Sequence, residues 1–112
     1  MKTPDEIFAE IDQRLRTQPE KTRGLRPARY HIRVDLYGGQ AEDYYLFLGR
    51  TSGAGKGLLP PGAPADCSIT MDAQTLAGIA DGTVNPVKAF TSGRVGVAGQ
   101  IYLVPQLGKA LR

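Results

Sequence analysis

Histidine, serine, cysteine and carboxylate side chains could carry chemistry in this chain, but their spacing does not assemble a reactive set. His31 is the single histidine, and it lies in an alternating segment. No nucleophile-elbow motif surrounds Ser52, Ser68 or Ser92, so a serine triad is not indicated. One cysteine, one histidine and scattered carboxylates offer no metal-ligand spacing. We therefore expect no catalytic residue, no metal site and no cofactor, which makes an enzyme the least favoured class.

A glycine-rich run and a lone thiol also have simple structural interpretations. The run Gly53-Ala54-Gly55-Lys56-Gly57 is similar in composition to a phosphate-binding loop. That motif requires glycine where Arg50 stands, serine or threonine where Gly57 stands, and a helix afterwards. Cys67 alternates with apolar neighbours, so we expect a buried structural thiol and not a reactive one.

Length and composition predict one globular domain over residues 1–112. The chain is 41% hydrophobic and 22% charged, close to the globular average. The single cysteine cannot form an intramolecular disulfide, and the N-terminal residues do not resemble a secretory signal, so we expect a cytoplasmic protein. No apolar run approaches the roughly 18 residues that a membrane-spanning helix needs.

Basic residues are concentrated in one part of the chain. Between residues 14 and 33 only Glu20 opposes a set of seven: Arg14, Arg16, Lys21, Arg23, Arg26, Arg29 and Arg33. One interpretation is an ordinary solvated face. The other is transient docking on an anionic membrane through Arg23, Arg26 and Arg29, because a basic side chain near lipid headgroups contributes about 1 kcal/mol. Nucleic acid is not indicated, since the stretch lacks interleaved aromatic residues and matches no binding module.

The first helix has a clear start signal. Thr3 is the expected N-cap, Pro4 the first helical residue, and Glu6 completes a capping box. The apolar residues that follow recur on one helix face: Ile7, Phe8, Ile11 and Leu15.

A hairpin and a turn-rich segment come next. Residues 30–37 alternate as a half-buried strand does, Gly38-Gly39 supplies a turn, and residues 44–48 form the partner strand. Residues 49–65 are rich in glycine and proline, including Pro60, Pro61 and Gly62. They leave room for at most a short edge strand near residues 56–59.

The second half predicts alternating strands and capped helices. Residues 67–71 alternate as a strand, and Asp72 caps a helix that runs to Ala80 and is closed by Gly82. A short helix opens at Asn85-Pro86, and residues 94–99 form another strand. The final apolar segment contains Pro105 and Gly108, so we expect a short or broken helix there.

From Ala65 onward the sequence resembles the sterol carrier protein type 2 family. Residues 65–71, Ala-Asp-Cys-Ser-Ile-Thr-Met, are similar to the strand that enters that family's middle helix. Residues 82–90, Gly-Thr-Val-Asn-Pro-Val-Lys-Ala-Phe, resemble its Gly, Asn-Pro and Ala-Phe signature, and residues 93–99 match the next strand. The first half agrees with the family in layout only.

The resemblance implies an α/β (α+β) fold in which helices cover one face of a five-stranded sheet. It also implies a tunnel that accepts a fatty acid, fatty acyl-CoA, sterol or phospholipid. By the same resemblance the protein is expected to be a lipid carrier and not an enzyme. The lipid-binding residues on this basis are Ile69, Met71, Leu76, Ile79, Phe90, Val95, Val97, Ile101, Leu103, Val104 and Leu107. Each of them could equally be an ordinary core residue.

An empty tunnel would be costly. A void of about 300 Å³ would cost on the order of 7 kcal/mol, which rivals the whole stability of a domain. We therefore expect either a bound lipid or a partly collapsed tunnel. Two functions stay open: a lipid carrier, and an accessory domain that binds a partner protein, for example in isoprenoid-lipid biosynthesis.

Overall fold

A computed structural model describes residues 2–36, 39–59 and 64–111, with Lys21 described for its backbone only. The elements are α1 (Pro4–Thr17), β1 (Ala28–Asp35), β2 (Ala41–Leu48), β3 (Gly53–Lys56), β4 (Cys67–Asp72), α2 (Ala73–Asp81), α3 (Pro86–Thr91), β5 (Gly96–Gly99) and α4 (Val104–Leu111), with 3-10 turns at Pro19–Thr22 and Ile101–Leu103. Of the predicted turn residues, Gly38, Pro60, Pro61 and Gly62 lie outside the described part.

The predicted capping box starts α1. The Glu6 amide donates to Thr3 Oγ1 at 3.2 Å, and the Thr3 amide donates to Glu6 Oε1 at 3.4 Å. The apolar stripe of the helix is buried against the sheet, and Phe8 stacks on Tyr44 with ring centroids 4.4 Å apart. Pro19 begins the turn that follows, where the helix was expected to end.

The five strands form one sheet in the order β3-β2-β1-β4-β5. The central strand β1 pairs antiparallel with β2 and parallel with β4. Tyr30, Ile32 and Val34 of β1 are fully buried, while the residues between them point away from the core. Because strand side chains alternate, the helices cover only one face of the sheet. This confirms the predicted fold class.

The edge strand β3 lies earlier than predicted, at Gly53–Lys56 in place of 56–59. Two aromatic side chains of β2 explain its position. Phe47 lies opposite Gly53 and Tyr45 opposite Gly55, and a Cβ on Gly55 would come within 2.6 Å of the Tyr45 hydroxyl oxygen. The aromatic rings thus cover the two glycines of this strand, which is a recognised way to support edge glycines. The glycine-rich run is therefore a strand and not a phosphate loop.

Caps place α2 and α3 as predicted. The Thr75 amide donates to Asp72 Oδ1 at 2.6 Å, and Gly82 ends α2 with φ of +87°. Asn85 Oδ1 accepts from the Val87 amide at 2.8 Å to start α3. Strand β5 is shorter than the expected 94–99.

The C-terminal segment, which we define as residues 101–111, contains a short helix that is not broken. Pro105 lies in the first turn of α4, where its missing N–H is not needed. Gly108 lies against the Pro86 ring, and a Cβ there would come within 3.1 Å of Pro86 Cγ. Proline and glycine are thus accommodated by position and by packing.

Candidate functional site

The predicted lipid-binding residues lie between the sheet and the helices, with one exception. Eight have exposed fractions of 4% or less: Ile69, Met71, Leu76, Ile79, Val95, Leu103, Val104 and Leu107. Phe90 and Val97 are partly buried and pack against the same cluster. Ile101 is 55% exposed. The fold therefore brings the predicted residues together, except Ile101, which stays at the surface.

Side chains fill the interior at these positions. A residue that lines a cavity wide enough for water keeps accessible surface even when the cavity is sealed from solvent. The eight buried residues have almost none, so their neighbours occupy the space around them. Large side chains from the sheet contribute to this filling, among them Tyr30, Ile32 and Leu46.

Three polar contacts tie the C-terminal segment to the rest of the protein. The buried Tyr30 hydroxyl donates to the Leu103 carbonyl at 2.7 Å. The Gln106 side chain exchanges two bonds with the backbone of Arg26, at 2.9 and 3.0 Å. Arg14 Nη2 donates to the Leu111 carbonyl at 3.0 Å. Burial raises the pKa of Tyr30, so its hydroxyl stays protonated as a donor.

A cleft of about 310 Å³ opens between α1 and α2. Its lining is Lys2, Ile7, Glu10, Arg14, Ala77, Ala80 and Asp81. The Nε–H of Arg14 is buried and has no hydrogen-bond partner among the described residues. A buried donor without a partner costs free energy, which makes it a candidate contact for a ligand oxygen.

The sequence analysis missed the position of Arg14 beside the cleft, although a signal was present. Arg14 follows Ile7 by seven residues and Ile11 by three, so it lies on the apolar stripe of α1. A charged side chain on such a stripe either reaches solvent or contacts a specific partner. Treating Arg14 only as one of seven basic residues concealed that position.

The basic stretch divides into paired and exposed residues. Arg16 pairs with Asp12 at 3.0 Å, and Arg33 pairs with Asp43 at 3.3 Å. The three predicted docking residues, Arg23, Arg26 and Arg29, are all exposed. The Arg26 guanidinium carbon lies 5.4 Å from the centroid of the Tyr102 ring.

The remaining chemistry-bearing residues have structural surroundings. His31 Nε2 and Asp43 Oδ1 are 2.8 Å apart, and this hydrogen bond lowers the pKa of Asp43. Cys67 is buried, as predicted, and burial raises the pKa of its thiol. In residues 2–36, 39–59 and 64–111, no three His, Cys, Asp or Glu side chains are grouped to hold a metal ion. No helix in the same ranges is long and apolar enough to cross a bilayer.

Known structures share this fold. A sterol carrier protein 2 from Yarrowia lipolytica in its apo form is 21% identical, with a TM-score of 0.80 over 96% of this chain and 88% of that one. A sterol carrier protein 2 from Aedes aegypti in complex with palmitate is 20% identical, with a TM-score of 0.67 over the whole of both chains. Identities this low show the fold alone.

The same fold also occurs inside a larger enzyme. A sec-alkylsulfatase from Pseudomonas sp. is 22% identical with a TM-score of 0.69, over 98% of this chain but only 16% of that one. A search of curated protein sequences found no match. The profile of the SCP-2 sterol transfer family matches residues 8–112. By this match the chain belongs to the SCP-2 sterol transfer family.

Proposed function

We propose that residues 1–112 form a single, non-catalytic lipid-binding domain that carries a fatty-acyl or similar apolar chain in the cytoplasm. The observation that carries the proposal is the family membership over residues 8–112, together with an apolar interior between sheet and helices. The Aedes aegypti relative was solved with palmitate, which makes a C16 fatty acid the first ligand to test.

The proposed ligand chain lies among Ile69, Met71, Leu76, Ile79, Phe90, Val95, Val97, Leu103, Val104 and Leu107. Since side chains fill this space in the free protein, the ligand must displace some of them. The C-terminal segment is the element to move, because apolar contacts and a few hydrogen bonds hold it. An acyl chain would replace those apolar contacts with equivalent ones, so the exchange need not cost much free energy. Ile101 contributes to this site only if the segment rearranges.

Arg14 is the proposed partner of the ligand carboxylate. Arg14 lines the cleft between α1 and α2, its buried Nε–H has no partner among the described residues, and its Nη2 donates to the Leu111 carbonyl of the C-terminal segment. A carboxylate in the cleft would accept from a guanidinium, a charge-assisted hydrogen bond. The acyl chain would then run from the cleft toward the apolar interior.

An anionic bilayer is the proposed place of loading and release. Arg23, Arg26 and Arg29 are exposed and able to approach lipid phosphates.

Mass spectrometry of the purified protein tests carriage directly. Native spectra, followed by organic extraction, should reveal a co-purifying lipid at one per chain. For protein freed of lipid, titration with a fluorescent fatty acid should saturate at the same ratio. A protein with neither co-purifying lipid nor uptake would contradict the proposal.

The anchoring role of Arg14 has its own test. Arg14→Met should weaken palmitate binding by about tenfold or more, because a hydrogen bond to a charged group contributes about 1.5–3 kcal/mol. Binding of methyl palmitate, which has no carboxylate, should change much less. Arg16→Met removes the same charge from the exposed side of α1 and serves as the control. Equal losses of affinity for palmitate and methyl palmitate would mean that Arg14 supports the folded structure and does not bind the carboxylate.

A protein-interaction domain is the second candidate. The filled interior favours it, since a packed core needs no ligand for stability. The occurrence of the same fold within the larger alkylsulfatase supports it as well. Absence of lipid and of fatty-acid uptake, in a protein that is folded, would make this the leading function.

A further inference from the structure

Exposed arginines gather at one end of the sheet, which we call the arginine end: Arg23, Arg26, Arg29 and Arg50. At this end β1 begins at Ala28 and β2 ends at Leu48. Two clefts meet there and share residues 49–51. One, of about 460 Å³, is lined by Arg29 and Arg50, and the other, of about 560 Å³, by Arg16, Arg23 and Arg50. Arg50, which lies outside the basic stretch in sequence, thus joins it in space.

Acidic residues gather at the opposite end, which we call the carboxylate end. There α1 begins with Asp5 and Glu6, β1 ends at Asp35, β2 begins beside Glu42 and β4 ends at Asp72. The Tyr44 hydroxyl donates to Asp5, which fixes the start of α1 beside the start of β2. The eight-residue strands separate the two ends by about 26 Å. Acidic side chains therefore cluster at one end of the strands, with Lys56 among them, and exposed arginines cluster at the other, with Asp66 among them.

Two large apolar side chains project at the arginine end. Ile101 is 55% exposed and Tyr102 is 58% exposed, in the turn directly after β5. The Gln100 amide donates to the Asp66 carbonyl at 2.9 Å, and the Asp66 amide donates to the Arg29 carbonyl at 2.8 Å, so this turn begins next to Arg29. Arg26 lies over the Tyr102 ring. Apolar tips among arginines are typical of a surface that enters the boundary between lipid headgroups and acyl chains.

We propose that the arginine end docks on an anionic phospholipid bilayer, with Ile101 and Tyr102 entering the headgroup boundary and the four arginines contacting lipid phosphates. The carboxylate end then faces away from the negative surface, which orients the protein. Leu103, in the same turn, belongs to the buried interior. Docking therefore places the start of the C-terminal segment, the element proposed to move, against the membrane. This inference rests on the proposed function only for the reason to dock, which is the loading and release of a lipid.

Vesicle sedimentation tests the surface. The wild-type protein should bind vesicles of phosphatidylcholine mixed with phosphatidylglycerol, bind pure phosphatidylcholine weakly, and bind the mixed vesicles less tightly as salt rises. Arg50→Gln should lower partitioning about fivefold. Ile101→Ser should lower it at low and at high salt alike, because the lost contribution is apolar.

Two control variants make the same chemical changes elsewhere. Lys56→Gln removes one positive charge at the carboxylate end, where Lys56 Nζ lies 3.4 Å from Asp5 Oδ2. Leu58→Ser removes a leucine that is 69% exposed. Leu58 lies near the carboxylate end, because the amide of the preceding Gly57 donates to the Asp43 carbonyl. Neither should reduce vesicle binding. Equal losses for Arg50→Gln and Lys56→Gln would mean that total charge matters and would overturn the proposal.

Fatty-acid uptake measured without vesicles separates this inference from carriage. Uptake without vesicle binding would overturn the docking surface and leave the carrier intact. Vesicle binding without uptake would retain the surface and remove the carrier function. Tight binding to a single-stranded RNA oligonucleotide, with no vesicle binding, would exclude the bilayer as the partner and assign the arginine end to nucleic acid.

Discussion

Gly78 shows how a single residue sets the packing of the helical layer. A Cβ at this position in α2 would come within 2.4 Å of Val84 Cγ2 and 3.1 Å of Val84 Cβ. Val84 cannot turn aside easily, because its β-branched side chain is restricted at χ1 and its amide donates to the Gly78 carbonyl at 3.0 Å. Glycine thus allows the segment after Gly82 to fold back on α2.

Gly78→Ala is expected to destabilise the protein, although alanine is the better helix former. Overpacking costs about 1–3 kcal/mol, against a helix-propensity gain of about 1 kcal/mol. Urea unfolding measures the net change. Adding Val84→Ala should recover stability relative to Gly78→Ala alone, and a double variant no better than the single one would contradict this account.

At the scale of the element, α2 depends on a titrating cap. The bond from the Thr75 amide lowers the pKa of Asp72 below its ordinary value of 3.8. The unfolded chain therefore takes up a proton before the folded chain does. The stability that this group contributes is complete above the ordinary pKa and is lost as pH falls through the lowered one.

Asp72→Asn should reduce this acid sensitivity. Asparagine caps a helix about as well as aspartate but does not titrate. As pH falls below about 4, the free energy of unfolding should decline less steeply in Asp72→Asn than in the wild type. Urea unfolding over a pH series checks this, and parallel pH curves would rule out Asp72 as a contributor.

The C-terminal segment is the second element whose attachment can be measured. Tyr30→Phe leaves the buried Leu103 carbonyl without its donor and should cost about 1–3 kcal/mol. It should also speed uptake of a fluorescent fatty acid in stopped-flow measurements, if this segment opens. Tyr44→Phe removes a hydroxyl that bonds Asp5 at the carboxylate end and is the matched control. Equal effects on uptake rate would argue against opening at the C-terminal segment.

For the whole molecule, ligand binding and folding are linked equilibria, because a ligand that binds only the folded chain stabilises it. A ligand that binds only the folded chain at a hundredfold excess over its Kd adds about 2.7 kcal/mol of stability. For a domain of this size that should raise Tm by about 10 °C. Thermal unfolding with palmitate measures the rise, and butyrate, which has the carboxylate without the long chain, should give almost none. An unchanged Tm with saturating palmitate would contradict carriage.

The family and most elements could be predicted from the sequence because their causes are local. The starts of α1, α2 and α3 are each a contact between residues two or three positions apart, as at Thr3 with Glu6 and Asn85 with Val87. The alternation of buried and exposed residues in β1 and β4 depends only on the face of the strand that each side chain occupies. The resemblance from Ala65 onward likewise rests on short motifs.

Tertiary structure decided the features that depend on distant residues. Strand β3 could not be placed from its own glycines, because Tyr45 and Phe47 of β2 cover them. Ile101 and Leu103 are both apolar, yet only contact with β1 and its neighbours buries Leu103 and leaves Ile101 exposed. The interior is filled because many side chains, far apart in sequence, meet there. Apolar patterning states which residues avoid water, whereas the space left between them depends on how whole elements pack.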